Sequence, residues 1–140
     1  HRDLHSFPTR RSSDLNHMVQ NREILDSGAN MNWLKEFPAA VTVCDPDGII
    51  LEMNDKAAKT FESDGGYGLV GANLLDCHPQ AAREKLEAMM NNRSKNVYTI
   101  EKNGVRKLIY QSPWYQNGEY AGFVELSLEI PFELPHFMRG

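Results

Sequence analysis

The sequence lacks the features that mark membrane proteins and secreted disulfide-rich proteins. Its 140 residues have a mean hydropathy of −0.53 and contain no run of about 18 apolar residues, which excludes a membrane-spanning helix. The two cysteines, Cys44 and Cys77, are too few to staple a small secreted fold. No basic start followed by an apolar stretch marks the chain for export. We therefore expect a cytoplasmic protein with free, buried thiols.

Positive charge is also scarce. The chain has 15 Lys and Arg against 19 Asp and Glu, a net charge of −4 that opposes non-specific attraction to nucleic acid or anionic lipid. We therefore expect no nucleic-acid partner and no membrane partner. The length is that of one domain.

Catalytic and metal-binding signatures are absent from the sequence. It has no phosphate-binding loop, no nucleophile elbow and no His-Glu metal helix. Cys77 and His78 are adjacent, so their side chains point apart in an extended segment, and Cys44 and His136 show no metal-ligand spacing with either of them. Glu125 and Glu129 are four residues apart on one strand, more than about 12 Å, which is too far for a paired acid and base. The sequence therefore predicts neither an enzyme nor a metal site.

Residues 1–15 differ from the rest of the chain because they show no helical or strand period. The stretch HSFPTRRSSDL at 5–15 resembles the translation of a common sequencing adapter. We treat residues 1–15 as a non-native or disordered segment. Without its three arginines and two aspartates, the remaining 125 residues have 12 basic and 17 acidic side chains and a net charge of −5.

Three turn signals organise the remaining chain. The sequence DPDG at 45–48 separates two apolar runs and predicts a hairpin. The Asn-Gly pairs at 103–104 and 117–118 predict two further hairpins, because both central residues of a type I′ turn need positive φ. The second and third hairpins give a three-stranded meander. Its predicted strands are residues 96–102, 105–113 and 120–130.

The last predicted strand alternates cleanly between two faces. Its even-numbered positions, from Tyr120 to Ile130, are apolar except for one glycine, and we expect them to be buried. Its odd-numbered positions include Phe123, Glu125 and Glu129, and we expect them to form the outer face. Phe123, together with Ile109 and Tyr115, is then a surface available for dimerisation.

Helical signals occur between the first hairpin and the meander and also at the start of the chain. Asn54 or Asp55 can cap a short helix that ends before the glycine-rich sequence at 63–68. His78-Pro79 opens a longer helix with apolar residues at helical spacing. Residues 16–36 form an N-terminal helical region whose apolar stripe we expect dimerisation to need. Residues 131–140 form a proline-containing tail.

These elements make an α+β domain that resembles a PAS domain from about residue 33 to residue 130. The resemblance rests on the order and spacing of five segments. They are FPAAV at 37–41, DPDGII at 45–50, the helix from Met53-Asn54 to Phe61, GANLLDCHP at 71–79 and GEYAG at 118–122. It implies a PAS-like domain at residues 37–130 with a five-stranded antiparallel sheet of order 2-1-5-4-3, helices on one face, and a pocket between sheet and helices.

Two departures from the family narrow the function. The last strand runs into Ile130-Pro131-Phe132, where PAS sensors fused to an output domain usually have an Asp-Ile-Thr-like turn and a coiled-coil helix. This favours a stand-alone module. The Gly-Ala-Asn at 71–73 is followed by Leu74, where light-sensing flavin relatives have the reactive cysteine, so we do not expect flavin.

The resemblance suggests pocket residues, for each of which a purely structural role is the alternative. His78 is the residue that a haem would use as axial ligand, and its alternative role is to cap the helix that follows. Tyr98, Tyr110 and Trp114 form either one aromatic wall of a ligand site or an ordinary aromatic core. The candidate ligand-binding residues are Met53, Cys77, His78, Tyr98, Tyr110 and Trp114.

The sequence thus predicts a stand-alone, non-enzymatic PAS-like module for sensing and signal transduction. We expect it to bind a small ligand or a signalling-protein partner and to form a homodimer. The alternative is a haem-binding redox or gas sensor that uses His78.

Overall fold

The computed structural model describes residues 31–140. The chain divides into two units, residues 1–33 and 34–140, and the strands and helices of the described residues all belong to the second unit. The predicted non-native segment 1–15 and most of the predicted helical region 16–36 lie outside the described residues. Within the described part of that region, residues 34–36 lie in a turn, in which Phe37 N donates to Leu34 O at 3.2 Å.

The sheet has five antiparallel strands in the order β2-β1-β5-β4-β3, so the predicted order is confirmed. Its strands are β1 (Ala40–Cys44), β2 (Ile50–Met53), β3 (Asn96–Lys102), β4 (Val105–Gln116) and β5 (Glu119–Ile130). The helices are α1 (Asp55–Thr60) and α2 (Gln80–Asn92), with 3-10 turns at Glu62–Asp64, Gly66–Leu69 and Leu74–Cys77. Neither of these two helices has the length and apolar character needed to cross a membrane.

All three predicted hairpin turns are present. In the first, Asp45 Oδ1 accepts hydrogen bonds from the amides of Asp47 and Ile49, both at 2.9 Å, which fixes the path of the loop. In the other two, Asn103 and Asn117 adopt φ of 54° and 53°, and each is followed by a glycine that also has positive φ. Two consecutive residues with positive φ define the type I′ turn that joins strands with the right twist.

Both helices pack on the same face of the sheet, which we call the helix face. Ala57 of α1 is fully buried in a cluster with Ala40, Ile50 and Met53. A second cluster joins Met89 and Met90 of α2 to Cys44 and Phe123 of the sheet. We call the opposite face, on which no described helix packs, the outer face.

The predicted faces of β5 were wrong. Phe123 and Ile109 are 5% and 4% exposed, and Phe123 packs under α2, so the odd-numbered positions of β5 belong to the helix face. The even-numbered, apolar positions from Val124 to Ile130 belong to the outer face, whereas Tyr120, beyond Gly122, packs against the Phe123 cluster. Phe123 and Ile109 therefore cannot form the predicted dimerisation surface. The prediction failed because it assigned the more apolar set of side chains to the interior. The helix face holds the polar lining of a cavity, and neighbouring strands already half-bury the apolar outer set.

Asn54 links α1 to the start of the sheet. Its side chain is 1% exposed, and Oδ1 accepts from Ala57 N at 3.1 Å, which caps α1 as predicted, and from Val41 N at 3.0 Å. Its Nδ2 donates to Ala39 O at 2.6 Å. A single buried amide thus satisfies backbone groups of both elements, which fixes α1 against β1.

Gly122 permits a close approach of three strands. Its φ is 134°, and a Cβ at this position would collide with Cys44 O of the adjacent β1. On its other side, β4 bulges after Trp114, whose Nε1 donates to Cys44 O at 3.0 Å. The indole reaches from β4 to β1 because Gly122, which pairs with Trp114 on the intervening strand, has no side chain.

The tail after β5 forms no helix or strand in residues 131–140. Arg106 holds its first residues: Nη1 donates to Phe132 O at 2.8 Å, and the guanidinium carbon lies 4.9 Å from the centre of the Phe132 ring.

Candidate functional site

A cavity of about 270 Å³ lies between the helix face and the helices. We call it the main cavity. All five strands contribute to its floor, α2 forms one wall, and the 3-10 turns form its mouth. Its lining residues are Thr42, Cys44, Ile50, Met53, Phe61, Asp64, Leu69, Leu74, Cys77, His78, Leu86, Met89, Tyr98, Gln111, Phe123, Val124 and Glu125.

Most of the main cavity is apolar. Buried residues of the two core clusters, among them Ile50, Met53, Met89 and Phe123, form its deepest walls. Two of these side chains are methionines, which are flexible and polarizable and adapt to irregular shapes. The deep part of the cavity therefore suits an apolar group.

A row of polar side chains crosses the sheet at one level, and three of its four members, Thr42, Gln111 and Glu125, line the cavity. Asn96 of β3 pairs with Gln111 of β4, Gln111 pairs with Glu125 of β5, and Glu125 pairs with Thr42 of β1. Within the row, Asn96 Nδ2 donates to Gln111 Oε1 at 3.0 Å. This bond occupies the carbonyl oxygen of Gln111, so its NH₂ group remains as a donor beside Glu125.

Glu125 is the half-buried acid of this row. Burial raises the pKa of its carboxyl group, because the charged form loses hydration; the neighbouring Gln111 amide and the charge of His78 offset part of that rise. Burial also raises the pKa of Tyr98, with a smaller contribution from the charge of Glu125. Tyr98 and Glu125 are therefore close enough to influence each other electrostatically.

Exposed side chains form the mouth of the cavity. They include Asp64, Cys77 and His78. The ring Nδ1 of His78 lies 2.6 Å from Leu74 O. Because a carbonyl oxygen only accepts hydrogen bonds, Nδ1 must be the protonated nitrogen and Nε2 is left available.

The predicted capping role of His78 was wrong. Helix α2 begins at Gln80, Pro79 occupies the N-cap position, and no side chain caps the helix. His78 instead closes the preceding 3-10 turn, Leu74–Cys77. The helix therefore begins one residue later than the sequence pattern predicted, at Gln80 and not at Pro79.

The cavity brings together four of the six predicted ligand-binding residues. Met53, Cys77, His78 and Tyr98 line it. Tyr110 and Trp114 do not, because β4 places them on the outer face with the even-numbered residues of β5.

Sequence reasoning missed the polar row of the cavity. Glu125 was assigned to the outer face, and Gln111 and Thr42 were not considered. These three residues could have been identified only from the pairing register of β1, β4 and β5. A glutamate in a strand of alternating polarity does not reveal that register.

The two cysteines have different environments. Both are free thiols, as expected, but only Cys44 is buried; Cys77 is exposed, contrary to the expectation that both are buried. Burial raises the pKa of the Cys44 thiol, which keeps it protonated and unreactive.

A second cavity of about 210 Å³ adjoins the main one. Both are lined by Thr42, Phe61, Tyr98 and Glu125. The second cavity also has Lys102 and Lys107 in its walls, whereas the main cavity has neither lysine nor arginine.

The residues of the main cavity do not fit a haem. His78 is a suitable type of axial ligand, and its Nε2 is available. However, the propionate groups of a haem are negatively charged, and the main cavity offers them Asp64 and Glu125 but no lysine or arginine. The volume of about 270 Å³ is also below the range of roughly 300–1,000 Å³ that is typical even of drug-sized ligands.

The part of the chain that the structure describes contains no group of three or more His, Cys, Asp or Glu side chains placed to hold a metal ion.

Comparison with known proteins identifies the fold. No protein-family model matches the chain, and no curated protein matches it. Solved structures do match. The Aer2 receptor from Vibrio cholerae, described as a dual PAS-heme oxygen sensor, is 17% identical over 66% of this chain and 95% of that chain, with a TM-score of 0.53.

Two PAS domains give similar matches. That of an HTR-like protein from Haloarcula marismortui is 15% identical over 86% of this chain and 100% of that chain, with a TM-score of 0.50. That of the histidine kinase ThkA is 20% identical over 64% of this chain and 96% of that chain, with a TM-score of 0.51. The chain therefore has the PAS fold, and the predicted resemblance is confirmed at the level of the fold.

Proposed function

We propose that this chain is a non-enzymatic sensory module of signal transduction that binds a small, mostly apolar ligand in the main cavity and acts in the cytoplasm. The observation that carries the proposal is the cavity itself, which has apolar walls and one row of polar side chains. Specific small-molecule sites typically combine a largely apolar lining with a few polar groups that orient the ligand.

The position of the cavity also suits signalling. A ligand in it contacts Phe123 and Glu125 of β5 and Leu86 and Met89 of α2, so it bridges the central strand of the sheet and the longer of the two described helices. A ligand that binds more tightly to one arrangement of α2 on the sheet than to another shifts the protein towards that arrangement.

The experiment that tests ligand binding uses the neutral fluorescent probe N-phenyl-1-naphthylamine. We expect saturable binding to the intact protein, seen as increased fluorescence. Leu86→Trp fills the cavity from α2 and should abolish the increase. Ala82→Trp, at an exposed position one turn earlier on the same helix, should leave it unchanged. Equal fluorescence in both variants would show that the probe binds elsewhere and would contradict the proposal.

Haem binding is the other outcome to be measured. Because the cavity lining does not fit a haem, we expect titration with haem to give no sharp, saturable Soret band. A saturable band that disappears in His78→Asn would overturn this expectation and favour the alternative of a haem sensor.

We further propose that the protein acts as a homodimer through the outer face. Leu108 and Tyr110 of β4 lie beside Leu126 and Leu128 of β5, and Val97 of β3 is 50% exposed. A contiguous apolar face of this kind suits a two-fold contact with a second copy. Light scattering should report a dimer that Leu126→Lys converts to a monomer and that Gln80→Lys, on an exposed helix position, leaves intact. A monomeric wild type would reject the homodimer.

A further inference from the structure

Glu125 places a carboxylate in the main cavity without a lysine or arginine to pair with it. No lysine or arginine among residues 31–140 forms an ion pair with Glu125. The sheet residues beside it, Thr42, Gln111 and Tyr98, are uncharged. A carboxylate has about four acceptor positions, more than the Gln111 amide can fill.

The sheet holds this carboxylate in a defined place. Glu125 lies on the central strand β5 and is flanked by Gln111 on β4 and Thr42 on β1. The Asn96–Gln111 hydrogen bond orients the Gln111 amide at one side. The acid is therefore a positioned acceptor beside an apolar space.

The other charged groups around the main cavity do not form an ion pair with Glu125. Asp64 at the mouth is a second acid, and His78, also at the mouth, is near enough for its positive charge to favour the charged form of Glu125. Lys102 and Lys107 line the second cavity, but neither forms an ion pair with Glu125. An anionic ligand in the main cavity would therefore face two carboxylates.

We infer that the ligand of the main cavity is a small apolar molecule that bears a cationic amino group, and that Glu125 binds this group. This inference rests on the proposed ligand-binding function and specifies its chemistry. An ammonium group supplies both a positive charge directly beside the carboxylate and hydrogen-bond donors, while the apolar part of the molecule occupies the space beside Met53, Met89 and Phe123. The rise in the pKa of Glu125 on burial agrees with this interpretation, because a bound cation restores stabilisation that the carboxylate has lost.

The experiment compares three probes that share one apolar ring system and differ in charge: 2-naphthylmethylamine, 2-naphthalenemethanol and 2-naphthoate. Dissociation constants are measured by calorimetry at neutral pH on the intact chain. We expect the amine to bind about tenfold or more tightly than the alcohol, the size expected of one charge-assisted hydrogen bond, and the carboxylate to bind most weakly.

Glu125→Gln identifies the group responsible. We expect it to remove the preference for the amine while the affinity for the alcohol stays within about twofold of wild type. Glu129→Gln is the matched control, because it makes the same change four residues along the same strand and face but outside the main cavity. It should retain the full preference for the amine.

The outcomes separate this inference from the proposed function. Equal binding of amine and alcohol to wild type would overturn the inference and leave the proposed apolar ligand site intact. Retention of the preference in Glu125→Gln would also overturn it. Binding of none of the three probes would contradict both the inference and the proposed function.

Discussion

The helix face and the outer face of the sheet differ in both polarity and packing. On the helix face, β5 presents Phe123, Glu125 and Ser127; on the outer face, it presents Val124, Leu126 and Leu128. The helix face is the more polar of the two along this strand, yet it contains the most deeply buried large side chain of β5, Phe123.

The difference shows that burial and composition need not coincide in a domain that encloses a cavity. On the helix face, a few residues are buried by α1 and α2, and the space that the helices leave open is lined by apolar side chains and one row of polar ones. On the outer face, where no helix of residues 31–140 packs, the apolar side chains are half-buried beside those of adjacent strands. We expect substitutions on the helix face to cost more stability than substitutions on the outer face.

The largest expected effect is the loss of Asn54, which attaches α1 to the helix face. Asn54→Ala leaves the buried amides of Val41 and Ala57 and the carbonyl of Ala39 without their side-chain partner. We expect the free energy of unfolding to fall by about 5 kcal/mol, measured by denaturant unfolding. Asn91→Ala, at an exposed position of α2, is the control and should change stability by less than about 0.5 kcal/mol. A loss below about 1 kcal/mol in Asn54→Ala would show that the amide is not needed to hold α1.

A direct comparison of the two faces uses one truncation on each. Phe123→Ala should lower the free energy of unfolding by about 4 kcal/mol, because it leaves a void between Cys44 and Met89. Leu126→Ala removes a half-buried side chain from the outer face and should cost about 1 kcal/mol. Chemical denaturation of both variants measures the difference. Equal losses would mean that the outer face is buried as fully as the helix face.

Gly122→Ala tests the backbone where Trp114 reaches over β5 towards β1. The substitution places a Cβ against Cys44 O at a φ of 134°, so we expect a loss of about 3 kcal/mol in the free energy of unfolding. Gly68→Ala is the matched control, since it has open space around it, and should leave stability nearly unchanged. If the two variants have the same thermal midpoint, the close approach at Gly122 is not required.

The smallest expected effect is the pH dependence due to Glu125. Its pKa is raised in the folded protein, so its contribution to stability is fully present below its ordinary pKa of about 4.5 and is lost as pH rises through the folded value. Glu125→Gln has no carboxyl group to ionise, so it does not lose this stability as pH rises. The thermal midpoint of the variant relative to wild type should therefore be higher at about pH 8 than at about pH 4.

Ser127→Ala, a change without a titrating group two residues along the same face, is the control for this pH effect. Its midpoint relative to wild type should be the same at both pH values. A Glu125→Gln difference that shrinks as pH rises would mean that the carboxyl group is stabilised in its charged form.

The turns show how far local sequence predicts this fold. Asn103-Gly104 and Asn117-Gly118 adopt the expected positive φ because few other residue pairs tolerate it, and the DPDG loop closes through the Asp45 side chain. The cap of α1 at Asn54 is of the same kind. These features depend on residues close together in the chain, so their chemistry is visible in the sequence.

The candidate site was only partly predictable. Met53, Cys77, His78 and Tyr98 were identified through the resemblance to PAS domains, whereas Glu125 was assigned to the wrong face. Which residues of a strand face the interior depends on the side of the sheet on which the helices pack. Alternation within the strand separates its residues into two sets but does not show which set faces the helices. Apolar side chains on both faces of β5 made the choice by hydrophobicity misleading.

The sequence by itself determined the turns, the strands they connect and, through the resemblance, the order of the sheet, because each depends on backbone preferences or on a recurring pattern of segments. Tertiary structure alone decided which face of the sheet carries the helices. That choice sets Glu125 beside Gln111 and Thr42 inside a cavity and leaves Tyr110 and Trp114 on the other side. The physical reason is that strand register and helix packing join residues far apart in the chain, and no local preference encodes the side on which they meet.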